Sequence, residues 1–310
     1  MLREALFRLS QEPHLRDVAT GNRLARKMAS RFVAGETLQE AIASVQELNS
    51  QGMPATLDHL GENVSSVQES REATDAACQI LRTIARSEID CNVSLKLTQL
   101  GLDLGAETAR ANLDAVVETA AKSNNFVRID MESSDYVQRT LDTFYQTFTV
   151  RQNVGVVLQA YLYRTGDDLE RLIQLGARVR LVKGAYLEPR SVAYPQKSDV
   201  DRNFARLMES MLERAVYPAI ATHDPHLIEH AKRFARDHQI EPSRFEFQML
   251  YGVRRDLQLG LVKQGYNVRI YVPYGTQWYP YLMRRMAERP ANVMFVLANV
   301  LREASSPNSS

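Results

Sequence analysis

Polar side chains recur at corresponding places in short stretches that are otherwise apolar. Ser94-Leu95-Lys96-Leu97-Thr98 carries a lysine, and Arg128-Ile129-Asp130-Met131-Glu132 an arginine and two acids. Gln159 lies inside Val156-Val157-Leu158-Gln159-Ala160-Tyr161, and Arg180-Leu181-Val182-Lys183-Gly184-Ala185-Tyr186 combines two cations with a glycine. Ala221-Thr222-His223-Asp224-Pro225, Phe245-Glu246-Phe247-Gln248-Met249 and Arg269-Ile270-Tyr271-Val272-Pro273-Tyr274-Gly275-Thr276 continue the pattern. Each group has an ordinary explanation. Lys96 and Asp130 could form a buried ion pair. Gln159 or Gln248 could satisfy neighbouring backbone groups. His223 could be a helix-entry residue, with Asp224 as N-cap and Pro225 in first helical position. Their recurrence is harder to dismiss, because buried polar groups are costly without partners and a ring of them points to a polar ligand.

A second constellation lies near the C-terminus. The stretch Gln277–Glu288 contains Tyr281, Arg284, Arg285 and Glu288. On a helix, residues three or four apart share a face, so Glu288 can pair with Arg284 or Arg285 beside Tyr281. A solvated charged surface is the bland reading. Two guanidiniums at a site mouth would instead form a carboxylate clamp, each offering a planar donor fork.

Some chemistries are missing. No Gly-x-Gly-x-x-Gly follows a strand-like segment and no Walker-type loop occurs, so a nucleotide cofactor would not be held in the Rossmann manner. Neither paired histidines nor a histidine–carboxylate cluster has metal-ligand spacing, so no catalytic metal is expected. No Ser-His-Asp arrangement stands out.

The elements that must position these groups follow a regular rhythm. Strand-like segments occur at Ala55–Leu60, Asn92–Leu97, Phe126–Met131, Val154–Tyr161, Val179–Val182, Ala219–Thr222, Arg244–Leu250 and Val268–Val272. They recur about every 30 residues, the length of a strand, a helix and two short loops. The clearest intervening helix runs from Asp199 to Val216, with Phe204, Leu207, Met208, Met211, Leu212 and Ala215 on one face. Alternating strands and helices imply a parallel sheet, and eight units suggest that it closes into a barrel, with an open doubly wound sheet as competitor. In a barrel, the polar groups would gather at the C-terminal ends of the strands, where such folds do chemistry.

The expected fold is an α/β, TIM-like (β/α)8 barrel with additional N-terminal helices and a C-terminal helix at its mouth. Residues 1–50 read as helices packing on the barrel, 51–304 as the barrel, and 305–310 as a polar, disordered tail. Thr37-Leu38-Gln39-Glu40 has capping-box form, followed by Ala41, Ile42, Val45 and Leu48 at helical spacing.

Bulk properties agree with a globular chain. Of the 310 residues 45% are hydrophobic and 24% charged, with a formal net charge of +1. That balance gives no reason to expect nucleic acid as a partner. Cys78 and Cys91 fit a reduced, cytoplasmic setting better than a disulfide framework. Charges interrupt the N-terminal apolar runs, which argues against a signal peptide, and no segment reaches spanning length. Peripheral membrane contact stays open.

The motifs together resemble proline dehydrogenase, including the proline-oxidising domain of the bifunctional proline-utilisation enzymes. The resemblance rests on Ser94–Thr98, Arg128–Asp130, Arg180–Tyr186, Ala221–His223, Phe245–Gln248 and Tyr281–Arg285, and covers roughly residues 50 to 300. The chain looks like the monofunctional bacterial type. The resemblance implies FAD as cofactor, L-proline as substrate, Δ1-pyrroline-5-carboxylate as product and a quinone as electron acceptor. It therefore also implies a cytoplasmic enzyme in peripheral contact with the inner face of the cell membrane.

It further implies that Lys96, Arg284 and Arg285 bind the proline carboxylate, that Tyr186, Leu181 and Tyr271 shape the ring pocket, and that Glu288 pairs with the clamp. Asp130 and Arg180 would be catalytic, Arg180 lying close to the reactive flavin nitrogen. Met131, Gln159, Arg180, Lys183, Gly184, Ala185, Thr222, His223 and Gln248 would contact FAD. Leu187 stands where a tryptophan is common in relatives, and the run from Gly275 to Tyr281 is shorter than in bifunctional relatives. The loop Glu188–Ser198, with Pro189 and Pro195, is long enough for a lid. A methylenetetrahydrofolate reductase-like flavin barrel and a barrel with purely structural mouth charges are the rival readings.

Overall fold

The structure, a computed structural model, describes residues 29–61 and 63–288, with side chains to Met283. Expectations for residues 1–28 and for the tail 305–310 lie outside the described residues.

The first described helix, α1 (Leu38–Ser50), begins where the sequence signals it. Glu40 N donates to Thr37 Oγ1 at 3.3 Å, and Thr37 N donates to Glu40 Oε2 at 2.9 Å. Two otherwise orphaned amide groups are thereby satisfied. Ala41, Ile42, Val45 and Leu48 form its buried face.

Eight parallel strands then close into a barrel, in sequence order. They are β1 (Ala55–His59), β2 (Cys91–Leu95), β3 (Val127–Ile129), β4 (Val154–Gln159), β5 (Val179–Val182), β6 (Ala219–Ala221), β7 (Glu246–Leu250) and β8 (Asn267–Tyr274). Closure comes from β1 pairing with β8, in register from Ala55↔Ile270 to His59↔Tyr274. Between the strands run α2 (Val67–Ser87), α3 (Ala106–Ala121), α4 (Ser134–Phe148), α5 (Thr165–Gln174), α6 (Lys197–Arg214), α7 (Pro225–Asp237) and α8 (Arg255–Lys263). The last, α9 (Trp278–Glu288), follows β8. The predicted helix Asp199–Val216 is α6, shifted two residues toward the N-terminus; the chain turns extended at Ala215, leaving Val216 exposed.

Strand alternation gives the barrel two unlike faces. Leu57, Val93, Ile129, Val156, Phe247 and Ile270 are buried in the hydrophobic core. The alternate positions Ser94, Arg128, Arg180, Glu246 and Arg269 are polar, and their cross-barrel bonds place them inside. Toward the N-terminal ends of the strands, Arg128 and Glu246 are almost fully buried. Arg128 Nη1 donates to the Arg178 carbonyl at 2.6 Å, and Arg269 Nε pairs with Glu246 Oε2 at 3.0 Å. Gly155, on the strand beside Arg128, makes room for this guanidinium. A Cβ there would lie 2.7 Å from Arg128 Nη1 and 2.4 Å from the Arg178 carbonyl oxygen.

Candidate active site

Side chains from five strand ends meet inside the C-terminal half of the barrel. Asp130, one residue beyond β3, accepts from Arg180 Nη1 (2.7 Å) and Ser94 Oγ (2.7 Å) on Oδ1, and from the Tyr271 hydroxyl (2.6 Å) on Oδ2. The Arg180 guanidinium also lies over the Tyr271 ring, 5.3 Å from its centroid. Lys96 Nζ stands 3.7 Å from Asp58 Oδ1, on β1. The Lys96–Asp130 pair raised as an ordinary explanation is not formed: Asp130 pairs with Arg180, and Lys96 with Asp58. β2 lies beside both β1 and β3, so Lys96 has an acid on either side; it pairs with Asp58, while Arg180, two strands on from β3, takes Asp130.

Burial opposes charge on Asp130, but Arg180, Lys96 and the bonds from Tyr271 and Ser94 outweigh it and hold its carboxyl below the usual range. Burial, followed by the charges of Asp130 and Asp58, pushes the Tyr271 hydroxyl far up, so it stays a proton-bearing donor. The result is a fixed carboxylate flanked by a guanidinium and a neutral phenol.

Gln159 ends β4. Its amide nitrogen donates to the carbonyls of Met131 (3.1 Å) and Glu132 (2.8 Å), so the structural role foreseen for it is present. Its Oε1 and Arg180 Nε are nevertheless buried without a hydrogen-bond partner among the described residues. Buried polar atoms ordinarily have partners, so this acceptor and this donor are available to a bound group.

The segment after β5 carries further expected residues. Lys183 Nζ bonds Asp201 at the start of α6 and Asp224 at 2.9 Å. Gly184 has φ +116°, and a Cβ on it would lie 2.3 Å from the Tyr161 ring, so only glycine fits. Ala185 and Tyr186 are half-buried. Leu181 is fully buried in the hydrophobic core.

On β6 and β7, the helix-entry reading of His223 holds in part. Asp224 caps α7 by accepting from His226 N at 3.1 Å, with Pro225 in the first turn. His223 Nε2 also accepts from Leu250 N at 2.9 Å, tying the two strand ends together. Thr222 Oγ1 accepts from Asp224 N (3.1 Å), and the Gln248 amide donates to Glu246. Arg284, Arg285 and Glu288 lie on α9, and their side chains fall outside the described residues. Met131, beside Asp130, is buried.

Asp58 takes part in this network, and Tyr161 and Glu188 bond each other at 3.3 Å beside it, without having been assigned a role from sequence. Asp58 had a visible signal, a lone acid inside the apolar run Ala55–Leu60. Tyr161 and Glu188 had none, because their partners lie far away in sequence.

The proline dehydrogenase family model matches residues 41–298. The chain belongs to the proline dehydrogenase family. It is accordingly an enzyme of the oxidoreductase class. It is 45% identical over 287 residues to proline dehydrogenase 2 of Bacillus subtilis (strain 168), covering 91% of this chain and 95% of that one. It is 39% identical over 308 residues to proline dehydrogenase of Deinococcus radiodurans, covering 97% and 98%. Among solved structures, proline utilization A from Bdellovibrio bacteriovorus, inactivated by N-propargylglycine, superposes with a TM-score of 0.81 at 25% identity. The match covers 92% of this chain and 34% of that larger protein.

Among the described residues, no group of His, Cys, Asp and Glu is placed to hold a metal ion, and no helix is long and apolar enough to cross a membrane.

Proposed function

We propose that the chain oxidises L-proline to Δ1-pyrroline-5-carboxylate using FAD, and that a quinone takes the electrons onward. The observation that carries this is the buried Asp130–Arg180–Tyr271 cluster together with the unpartnered Arg180 Nε and Gln159 Oε1, in a chain of this family. A flavin ring edge presents both the acceptor and the donor that these atoms lack, so the residues fit the cofactor. Bound FAD would supply the two-electron acceptor for the hydride that leaves proline C5.

The residues FAD would meet are Met131, Gln159, Arg180, Lys183, Gly184, Ala185, Thr222, His223 and Gln248. Proline's carboxylate would be gripped by Lys96, Arg284 and Arg285, with Glu288 orienting the clamp. Tyr186 and Tyr271 would flank the ring, and Leu181 supports that wall by packing. Asp130 holds Arg180 and the Tyr271 hydroxyl in place, which orients the carbon that loses hydride. The amine proton passes to solvent, since no described side chain is a dedicated base. A quinone acceptor implies a cytoplasmic protein that touches the inner face of the membrane.

An anaerobic visible spectrum before and after adding L-proline tests this. A flavin band that bleaches with L-proline, but not with D-proline or NADH, is the expected result. Bleaching by NADH alone would indicate a reductase of the methylenetetrahydrofolate type. A protein that takes up no FAD would mean that the mouth charges are structural.

A further inference from the structure

Residues 183–194, between β5 and α6, wrap around a single side chain, Tyr161. Tyr161 N donates to the Lys183 carbonyl at 2.9 Å, and Tyr194 N donates to the Tyr161 carbonyl at 2.8 Å. Tyr163 repeats the pattern, with its N to Val192 O and its hydroxyl to Arg190 O, both at 3.0 Å. The two ends of the loop are thus pinned to the segment after β4. The Tyr161 ring occupies the space that Gly184 leaves by having no side chain.

The middle of the loop is held from a different direction. Glu188 Oε1 accepts from Ser134 N (2.7 Å) and from the Tyr161 hydroxyl (3.3 Å), and Glu188 Oε2 accepts from Ser134 Oγ. Ser134 begins α4, and Ser133, in N-cap position, makes no capping bond with its own side chain. A carboxylate from another loop therefore caps this helix, where an anion also suits the helix dipole. The residues leading into α4 are Asp130 to Ser133. They are held at the strand end by the Gln159 amide on the carbonyls of Met131 and Glu132, by Thr98 Oγ1 donating to Glu132 at 2.7 Å, and by Asp130 N donating to the Leu95 carbonyl at 2.8 Å, which leaves Glu188 as their tie to the loop after β5.

One carboxylate therefore joins two segments, one bearing Asp130 and the other Tyr186. We propose that Glu188 is a positioning residue: its bonds to Ser134 and Tyr161 fix the separation of these two segments and so set the width of the substrate pocket. This rests on the assignment of Asp130 and Tyr186 to that pocket. A helix cap with no bearing on the reaction is the alternative, and it predicts different kinetics.

The test compares the parent with Glu188→Ala, Glu188→Gln, Ser134→Ala and Tyr161→Phe at equal flavin content. Glu188→Ala is expected to raise KM for L-proline about tenfold while kcat stays within about threefold, because misplacement weakens binding before chemistry. Glu188→Gln should fall between, since one amide oxygen still accepts. Tyr161→Phe and Ser134→Ala each remove one donor and should raise KM less. Trypsin should cut faster after Arg190 in Glu188→Ala, a readout that needs no turnover. A lowered melting temperature with unchanged KM in Glu188→Ala would reduce Glu188 to a cap. If Glu188→Ala does not fold, unchanged KM in both Ser134→Ala and Tyr161→Phe overturns the proposal. A parent that does not oxidise proline defeats the functional assignment instead, and trypsin then decides: unaltered cleavage in Glu188→Ala overturns the positioning role.

Discussion

Arg180, on β5, and Asp130, just beyond β3, meet inside the barrel over the intervening β4, Nη1 to Oδ1 at 2.7 Å, with side chains 5% and 13% exposed. Neither charge is well hydrated, so each depends on the other and on the hydrogen bonds around them. A single carboxylate here holds a guanidinium and a phenol in fixed places.

Asp130→Asn should therefore destabilise the protein by about 3–5 kcal/mol, because it leaves Arg180 buried without its counter-charge. Urea denaturation measures the loss. The Asp130 carboxyl titrates below its ordinary range in the folded state. Its contribution is thus present above the unfolded value of about 3.9 and lost as pH falls through the folded one. The gap between parent and variant should narrow on acidification; a constant gap would mean that the ionised form is not what matters.

Tyr271→Phe removes one of three donors to Asp130 and keeps the ring. A stability loss of about 1 kcal/mol is expected, with the Asp130 carboxyl moving up toward its usual range. Tyr271→Ser removes the ring as well. It should relax selection against larger cyclic amino acids while FAD content, read by absorbance, stays that of the parent.

Gly184→Ala places a methyl group 2.3 Å from the Tyr161 ring at φ +116°. The combined overpacking and backbone strain should cost on the order of 1–3 kcal/mol and weaken FAD retention. Calorimetry and flavin titration of the apoprotein check both. In a Tyr161→Ala background the methyl group gains room, so a cost that does not shrink would locate the whole penalty in the backbone.

Arg285→Met should raise KM for L-proline on the order of 10²-fold, since a charge-assisted fork on a carboxylate is lost. An unaltered KM would remove Arg285 from the clamp.

Much of this was legible because the barrel repeats a local pattern. All eight strands fall where short apolar runs marked them, and β5 has the bounds read from sequence. The Thr37–Glu40 capping box is present with both bonds. Reading the edges was harder: the run Phe126–Met131 contains a strand of only Val127–Ile129, because Asp130 and Met131 already belong to the mouth. The partners of polar groups were the least legible. Lys96 pairs with Asp58 rather than Asp130 although β2 lies beside both β1 and β3, and nothing local in the sequence tells which neighbour it takes. Likewise Glu188 caps a helix that begins 54 residues earlier, and no local spacing announces such a contact.

The layer of Arg128, Glu246 and the partly buried Arg269 fills the N-terminal end of the barrel interior. It closes the barrel at the end away from Asp130, and Gly155 lets Arg128 lie close against the wall there. Among the described residues, that layer leaves no passage through the N-terminal end of the barrel to the Asp130 cluster. If the chain oxidises proline as proposed, substrate and electron acceptor would both approach from the Asp130 side, and an excess of one would delay the other.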